Sequence, residues 1–331
     1  MNHQSPTERT ETFADVHARL LDNIGRAIQG KAEAIDLMLM ALVAEGHVLV
    51  EDVPGVGKTT LAKALATSID CRFGRIQFTP DLLPTDVVGV SVWHRSAERF
   101  EFRQGPIFAG IVLADEINRA SPKTQSALLE AMAERQVTVD GTTHRLAPPF
   151  LVIATQNPIE HEGTYPLPES QLDRFLLRLS MGYPDRKAEL QILEDHGDDE
   201  FVDALRPVVT AAQVNALVAA ARTVHVAAPL QGYLVDLAAA SRRHHHLSIG
   251  MSPRATLALQ RVARARAATR GRNYVVPDDI KALASPVLAH RLLLSPEAQV
   301  AQVSTAEVVA ELLDQVPQPD PRPSAVSAVG A

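Results

Sequence analysis

Apolar runs punctuate the first half of the chain: HVLVE (47–51), RIQFT (75–79), IVLAD (111–115), FLVIAT (150–155) and FLLRLS (175–180), with helical patterns between them. Runs of this length predict a mostly parallel sheet covered on both faces, five-stranded and α/β in class. Two polar stretches, 89–108 and 133–150, interrupt the alternation and predict hairpins. The second holds Asp140-Gly141, a pair that tolerates the positive φ of a tight turn. After GYPDR (182–186) the chain becomes alanine- and leucine-rich, and Pro207, Pro229, Pro253, Pro277 and Pro286 read as separators between helices. In MSPRATLALQRVARARAATRG, Ser252 is a capping residue, Pro253 suits the first helical position and Gly271 suits the stop. VPDDIKALASPVLAHRL opens another helix, with acids suited to the positive end of its dipole.

Composition narrows the class. At 331 residues and 46% hydrophobic content, two packed units are expected. A net charge of −7 gives no global reason to bind nucleic acid, so none is expected as a partner. The single cysteine, Cys71, excludes an internal disulfide framework and reads as a small buried apolar residue of a reducing compartment. No secretory signal and no transmembrane segment appear, which predicts a cytoplasmic protein. Residues 1–12 and the proline-rich tail 317–331 are expected to be disordered.

Candidate chemistry begins at EDVPGVGKTT, Glu51 to Thr60. Phosphate loops converge backbone N–H groups on an anion at a helix N-terminus, with a lysine for charge and a hydroxyl for magnesium. Gly55 and Gly57 let the backbone approach phosphate, Lys58 reaches the β- and γ-phosphates, and Thr59 suits the metal. The first glycine of the usual pattern is replaced by Asp52, with Pro54 stiffening the turn. Whether that carboxylate weakens nucleotide binding is open at this level. A second element, GIVLADEINRA, ends a strand in Asp115 and Glu116; the first suits magnesium and the second suits activation of an attacking water. A third, FLVIATQNP, ends a strand in Gln156 and Asn157, neutral amides able to touch γ-phosphate and water, although Asn157 could equally cap the turn before Pro158. These strands all deliver polar groups from their C-terminal ends, where open α/β sheets bind ligands.

In this order VPGVGKT, LADEINRA, ATQNP, YPLPESQLDRF and MSPRA resemble the MoxR family of AAA+ ATPases, over roughly residues 14–316. The resemblance implies an αβα core with the two hairpins as insertions, placed here at 13–182, and an all-α lid at 183–316. It implies a homo-oligomeric ring, commonly a hexamer, that binds ATP and Mg2+ between subunits. Pro54, Gly55, Val56, Gly57, Lys58, Thr59 and Thr60 then form the nucleotide loop, with Thr59 and Asp115 on the metal and Glu116 on the water. Asn157 matches the first sensor, Arg174 the arginine finger that reaches a neighbour's γ-phosphate, and Arg254 the second sensor, carried by the lid toward the same phosphate. Ile28, Gln29 and Gly30 resemble the region that contacts adenine. The family's work implies chaperone-like maturation of, or cofactor insertion into, a client protein complex, often beside a partner with a von Willebrand factor A domain.

Other readings stay open. A magnesium-chelatase-like motor subunit is the nearest. A nucleic-acid translocase is disfavoured because the hairpins mix Arg95, Arg99, Arg103, Arg135 and Arg145 with Glu98, Glu101, Glu134 and Asp140. A nucleotide-gated scaffold with little turnover leaves Glu116 unexplained. RRHHHL (242–247) reads as a solvated helix end, since three adjacent histidines on one helix cannot all face one ion. Trp93, in the first hairpin, reads as packing.

Overall fold

Strand β1 (Val48–Glu51) sends Val48 and Val50 to one face of a sheet and Leu49 to the other. That period of two recurs along the sheet and explains why its strands are apolar at nearly every position. A computed structural model describes residues 12–157, 163–184, 186–194 and 204–319. The expectations for residues 1–11, for Pro158 and for the tail from 320 lie outside them. The other strands are β2 (Phe73–Gln77), β3 (Gly89–His94), β4 (Arg99–Gln104), β5 (Ile111–Asp115), β6 (Gln136–Val139), β7 (Thr142–Arg145), β8 (Leu151–Gln156) and β9 (Leu177–Leu179). Five of them form one sheet in the order β2-β5-β8-β1-β9, parallel throughout. The mostly parallel, five-stranded expectation is met, with strand ends shifted by one or two residues.

One face packs on α1 (Phe13–Ala27), α2 (Ala32–Val43) and α3 (Lys58–Ser68); the other on α5 (Pro122–Glu134), which follows α4 (Pro84–Val88). Thr12 and Asp15 form a reciprocal capping box at the start of α1. Helix α2 is apolar almost all round because it is sandwiched between β9 and the later helices Ala211–Thr223 and Pro253–Thr269. Leu39 and Leu42 thus lie in the same apolar cluster as Leu217 and Leu259. Short α6 (Glu169–Leu172) precedes β9, and α7 (Arg186–Glu194) follows it.

Both hairpins form. β3 pairs with β4 and β6 with β7, the second turning through Asp140 (φ 50°) and Gly141 (φ 76°). Trp93 faces Phe100 across the first hairpin, with ring centroids 5.1 Å apart at 64°, so the tryptophan packs locally while half its surface stays exposed. Arg99 is paired with Glu101 at 2.8 Å on the same strand.

The later part of the chain is helical. Ser252 caps Pro253–Thr269 by accepting from the amide of Ala255, and Gly271 follows the stop with φ 70°. Pro286 is a correction: it lies inside the helix Pro277–Leu288, near its end, and separates nothing. The histidine run is a second correction. The helix Ala228–Ser241 stops before it, residues 242–246 form a turn, and His244 is buried rather than solvated. Cys71 sits against the core, where burial, with a smaller effect of Asp70, pushes its thiol up to about 12.

Candidate functional site

The loop between β1 and α3 turns on two glycines with positive φ, Gly55 (85°) and Gly57 (90°), conformations that disfavour any side chain. Gly57 is the N-cap of α3, and Lys58, Thr59 and Thr60 supply the first turn, which contains no acid. The amides of that turn and the positive end of the helix therefore face outward together, a ready anion cradle. Val56 anchors the loop by burying its side chain in the core. Pro54 precedes it on the exposed side.

Asp52 does not face the cradle. Its carboxylate accepts from Ser180 Oγ at 2.9 Å, from the amide of Met181 and from the amide of Gly182 at 3.2 Å. Its main-chain carbonyl accepts from Lys58 Nζ at 2.8 Å. The stretch 180–183 is also held from its other side, where Lys31 Nζ donates to the carbonyls of Met181 (2.7 Å), Gly182 (3.0 Å) and Tyr183 (2.7 Å). Lys31 was not singled out by sequence; only its place beside Gly30 hinted at it.

The strand ends line up beside the loop. Glu51 is opposite Gln156, and Gln77 is opposite Asp115, so four strands present polar groups along one edge. Asp115 accepts from Thr155 Oγ1 at 2.7 Å and from Arg75 at 2.8 Å. Glu116 leaves the strand in a left-handed conformation, φ 56°, with its amide donating to Thr155 Oγ1 at 2.9 Å. Its carboxylate accepts from Gln77 Nε2 and from Arg119, each at 2.9 Å. Gln77 and Arg119 were missed by sequence; the signal was the position of Gln77 at the end of the strand next to β5. Gln156 donates to Glu51 at 3.0 Å, and Asn157 is buried at the end of β8. The hydroxyl of Thr59 and the carboxylate of Asp115 are hard oxygen donors, the kind magnesium prefers.

Ile28 is buried and Gln29 is partly exposed, and both line a cavity of about 500 Å3 with Gly30. Gly30 has φ 72°, and a Cβ there would come within 3.1 Å of Ala188 in α7. A second cavity, about 480 Å3, continues past Lys31 to Met181 and Pro286.

Arg174 and Arg254 come together, but not with the phosphate loop. Leu177 in β9 pairs with Val48 at the start of β1, so Arg174, three residues earlier, lies at the amino end of the sheet. The phosphate loop follows the carboxyl end. Arg174 donates to the carbonyl of Leu129 at 2.7 Å. Next to it, Asp173 accepts from Arg291 at 2.8 Å and lies 3.6 Å from Arg254. Both arginines line a cavity of about 380 Å3 with Glu45, Arg261 and Arg264, and no phosphate-loop residue lines it. The parallel register of β1 and β9 thus places both arginines at the end of the sheet away from this chain's own phosphate loop.

This cavity is strongly basic. Arg254 and Arg261, seven positions apart, share a helical face. Desolvation, then the charges of Arg135 and Arg254, hold Arg261 below the usual arginine range. Burial opposes ionisation of Glu45, yet Arg135 and Arg222 hold it below the usual carboxylate range. Nε of Arg264 is buried without a partner among the described residues. Such crowding of like charge favours a bound anion.

Comparison with known proteins agrees with this fold. The ATPase family associated with various cellular activities (AAA) matches residues 47–177, and an AAA lid domain matches residues 239–312. An uncharacterized Bacillus subtilis protein, YeaC, is 49% identical over 92% of this chain and 96% of its own. Chaperone MoxR1 of Mycobacterium tuberculosis is 40% identical over 96% of this chain and 87% of its own. The crystal structure of a putative ATPase from Cytophaga hutchinsonii superposes with a TM-score of 0.87 at 38% identity, covering 92% of this chain and 95% of that one.

Proposed function

The chain belongs to the MoxR family of AAA+ ATPases, and from that premise we propose that it is an ATP hydrolase working as a ring, with each ATP shared by two subunits. In one subunit the triphosphate lies on Gly55 to Thr60, with Ile28, Gln29 and Gly30 beside the base. Lys58 leaves the carbonyl of Asp52 for the β- and γ-phosphates. Thr59 and Asp115 would hold the magnesium ion, which supplies positive charge to the phosphate oxygens. Glu116 accepts the proton of the attacking water as the general base, and Asn157 orients it. Gln77 and Arg119 hold Glu116 back until nucleotide and neighbour are in place.

The neighbouring subunit supplies Arg174 and Arg254, which stabilise the charge developing on the γ-phosphate. The observation that carries this reading is the placement of these arginines at the end of the sheet opposite the phosphate loop. A subunit so built needs a second copy to complete its site, and a closed ring, hexameric by analogy with the family, satisfies every copy. The motion of lid against core then acts on a client protein complex in a chaperone-like maturation or insertion step, with a von Willebrand factor A domain protein as companion. A cytoplasmic location fits that role.

The test is complementation. Lys58→Ala and Arg174→Ala proteins, each inactive alone, are expected to recover ATP hydrolysis when mixed, because mixed rings contain interfaces with both parts intact. No recovery in rings proven mixed by native mass spectrometry would overturn the shared site.

A further inference from the structure

The histidine run lies in a turn, and a turn can do what a helix cannot. Past Ser241 the chain turns through 242–246 into β10 (Leu247–Ile249), and His244 and His246 come to face Glu311 on the C-terminal helix Thr305–Gln315. One ligand atom from each of the three lies within 4.8 Å of the others. His244 is 8% exposed, and its Nε2 lies 3.1 Å from Glu311 Oε2. Nδ1 of His246 is buried without a hydrogen-bond partner among the described residues. A buried polar atom left unpaired is rare enough to call for a ligand.

We propose that His244, His246 and Glu311 form a binding site for a divalent transition-metal ion of the zinc class. Two imidazoles and a carboxylate suit zinc, whereas magnesium prefers oxygen ligands alone. Bonds of about 2.0–2.1 Å in a tetrahedral site put neighbouring ligand atoms about 3.3 Å apart. The His244–Glu311 pair is already at that spacing, and rotation of His246 closes the third edge. The ion replaces the proton that His244 Nε2 shares with Glu311. That proton moves to Nδ1, so the imidazole stays neutral, at the expense of the 3.3 Å contact that Nδ1 accepts from the amide of His246. Glu311 stands partly in solvent, so water completes the coordination.

The site lies where it would stiffen the presentation of Arg254. The turn returns through Met251, whose amide donates to Ser241 Oγ at 2.9 Å and whose carbonyl accepts from Arg242 at 2.9 Å, before Ser252 caps the helix that carries Arg254. A metal here staples the C-terminal helix to that turn. The inference does not depend on how nucleotide is hydrolysed.

His245 supplies the control. It lies against His246, with ring centroids 3.8 Å apart and planes tilted by 47°, but is outside the ligand set. Full-length protein stripped with a chelator is titrated with Zn2+ against a chromogenic competitor in excess magnesium. The expected result is about one tightly bound zinc per chain, weakened at least about 10-fold by His246→Ala and by Glu311→Gln, with His245→Ala binding like the parent. Glu311→Gln changes a partly exposed side chain and guards against loss of fold. Absence of stoichiometric zinc would overturn the proposal, and so would a His245→Ala loss as large as that of His246→Ala, which would mean a plain histidine run.

Discussion

Lys58 and Asp52 are joined at 2.8 Å through the aspartate's main-chain carbonyl, while the side chain of the same aspartate faces the amides of Met181 and Gly182. One residue thus touches the phosphate-loop lysine with its backbone and the start of the core-to-lid connection with its carboxylate. The carboxylate of Asp52 is engaged by 180–182, away from the anion cradle.

Asp52→Ala is therefore expected to act on stability before affinity. It leaves the amides of Met181 and Gly182 without their acceptor, and each buried unsatisfied group costs about 1–3 kcal/mol. A loss of about 3 kcal/mol in urea unfolding, with ATP affinity of the folded protein within about threefold of the parent, is the predicted pair of results. Markedly tighter ATP binding would show that the carboxylate does reach the cradle.

Glu116→Gln keeps the shape of the side chain and removes the base. ATP binding is expected to persist while turnover falls by about 10²–10⁴. Gln77→Ala removes one of the two groups that hold Glu116 aside, and is expected to raise the low basal hydrolysis of dilute, unassembled protein several-fold. Equal rates in parent and Gln77→Ala protein would remove that role.

Within the basic cavity, Arg174→Ala should lower kcat by about 10³ or more, the scale of an arginine finger. Arg261 lies two helical turns along from Arg254 on the same face, and Arg261→Ala should lower kcat by about 10-fold with little change in KM. An effect on KM alone would place Arg261 outside the site where charge develops.

Acid sensitivity follows from two buried histidines. Burial, partly offset by a hydrogen bond to Met132, pulls His47 down to about 4. Burial and the charge of Arg291 pull His290 down to about 3. Both folded values lie below the unfolded value of about 6.5, so the unfolded chain takes up protons first as pH falls. Stability is full above about pH 6.5 and drains toward pH 4, at about 1.4 kcal/mol per pH unit for each histidine. Urea midpoints between pH 7.5 and 4.5 should fall accordingly, and less steeply in His47→Gln protein, where that uptake is gone.

The sequence by itself determined the strands, the phosphate loop and the acids, because each is written locally. Alternating apolar positions fix a strand, positive-φ glycines before a helix fix an anion cradle, and an acidic pair at a strand end is placed by the strand. Turn chemistry at Asp140-Gly141 and the cap at Ser252 were legible for the same reason. Tertiary structure alone decided which of these parts meet. Gln77 joined Glu116 only because β2 lies beside β5, a neighbour distant in sequence. Arg174 and Arg254 parted from the phosphate loop because β9 runs parallel to β1, and the direction of one strand carries everything before it to the opposite end of the sheet. His244 and His246 gained Glu311 because the C-terminal helix packs back on a turn that sequence had read as helix. Pairing across long sequence separation depends on packing of the whole core, which no short window of the chain contains.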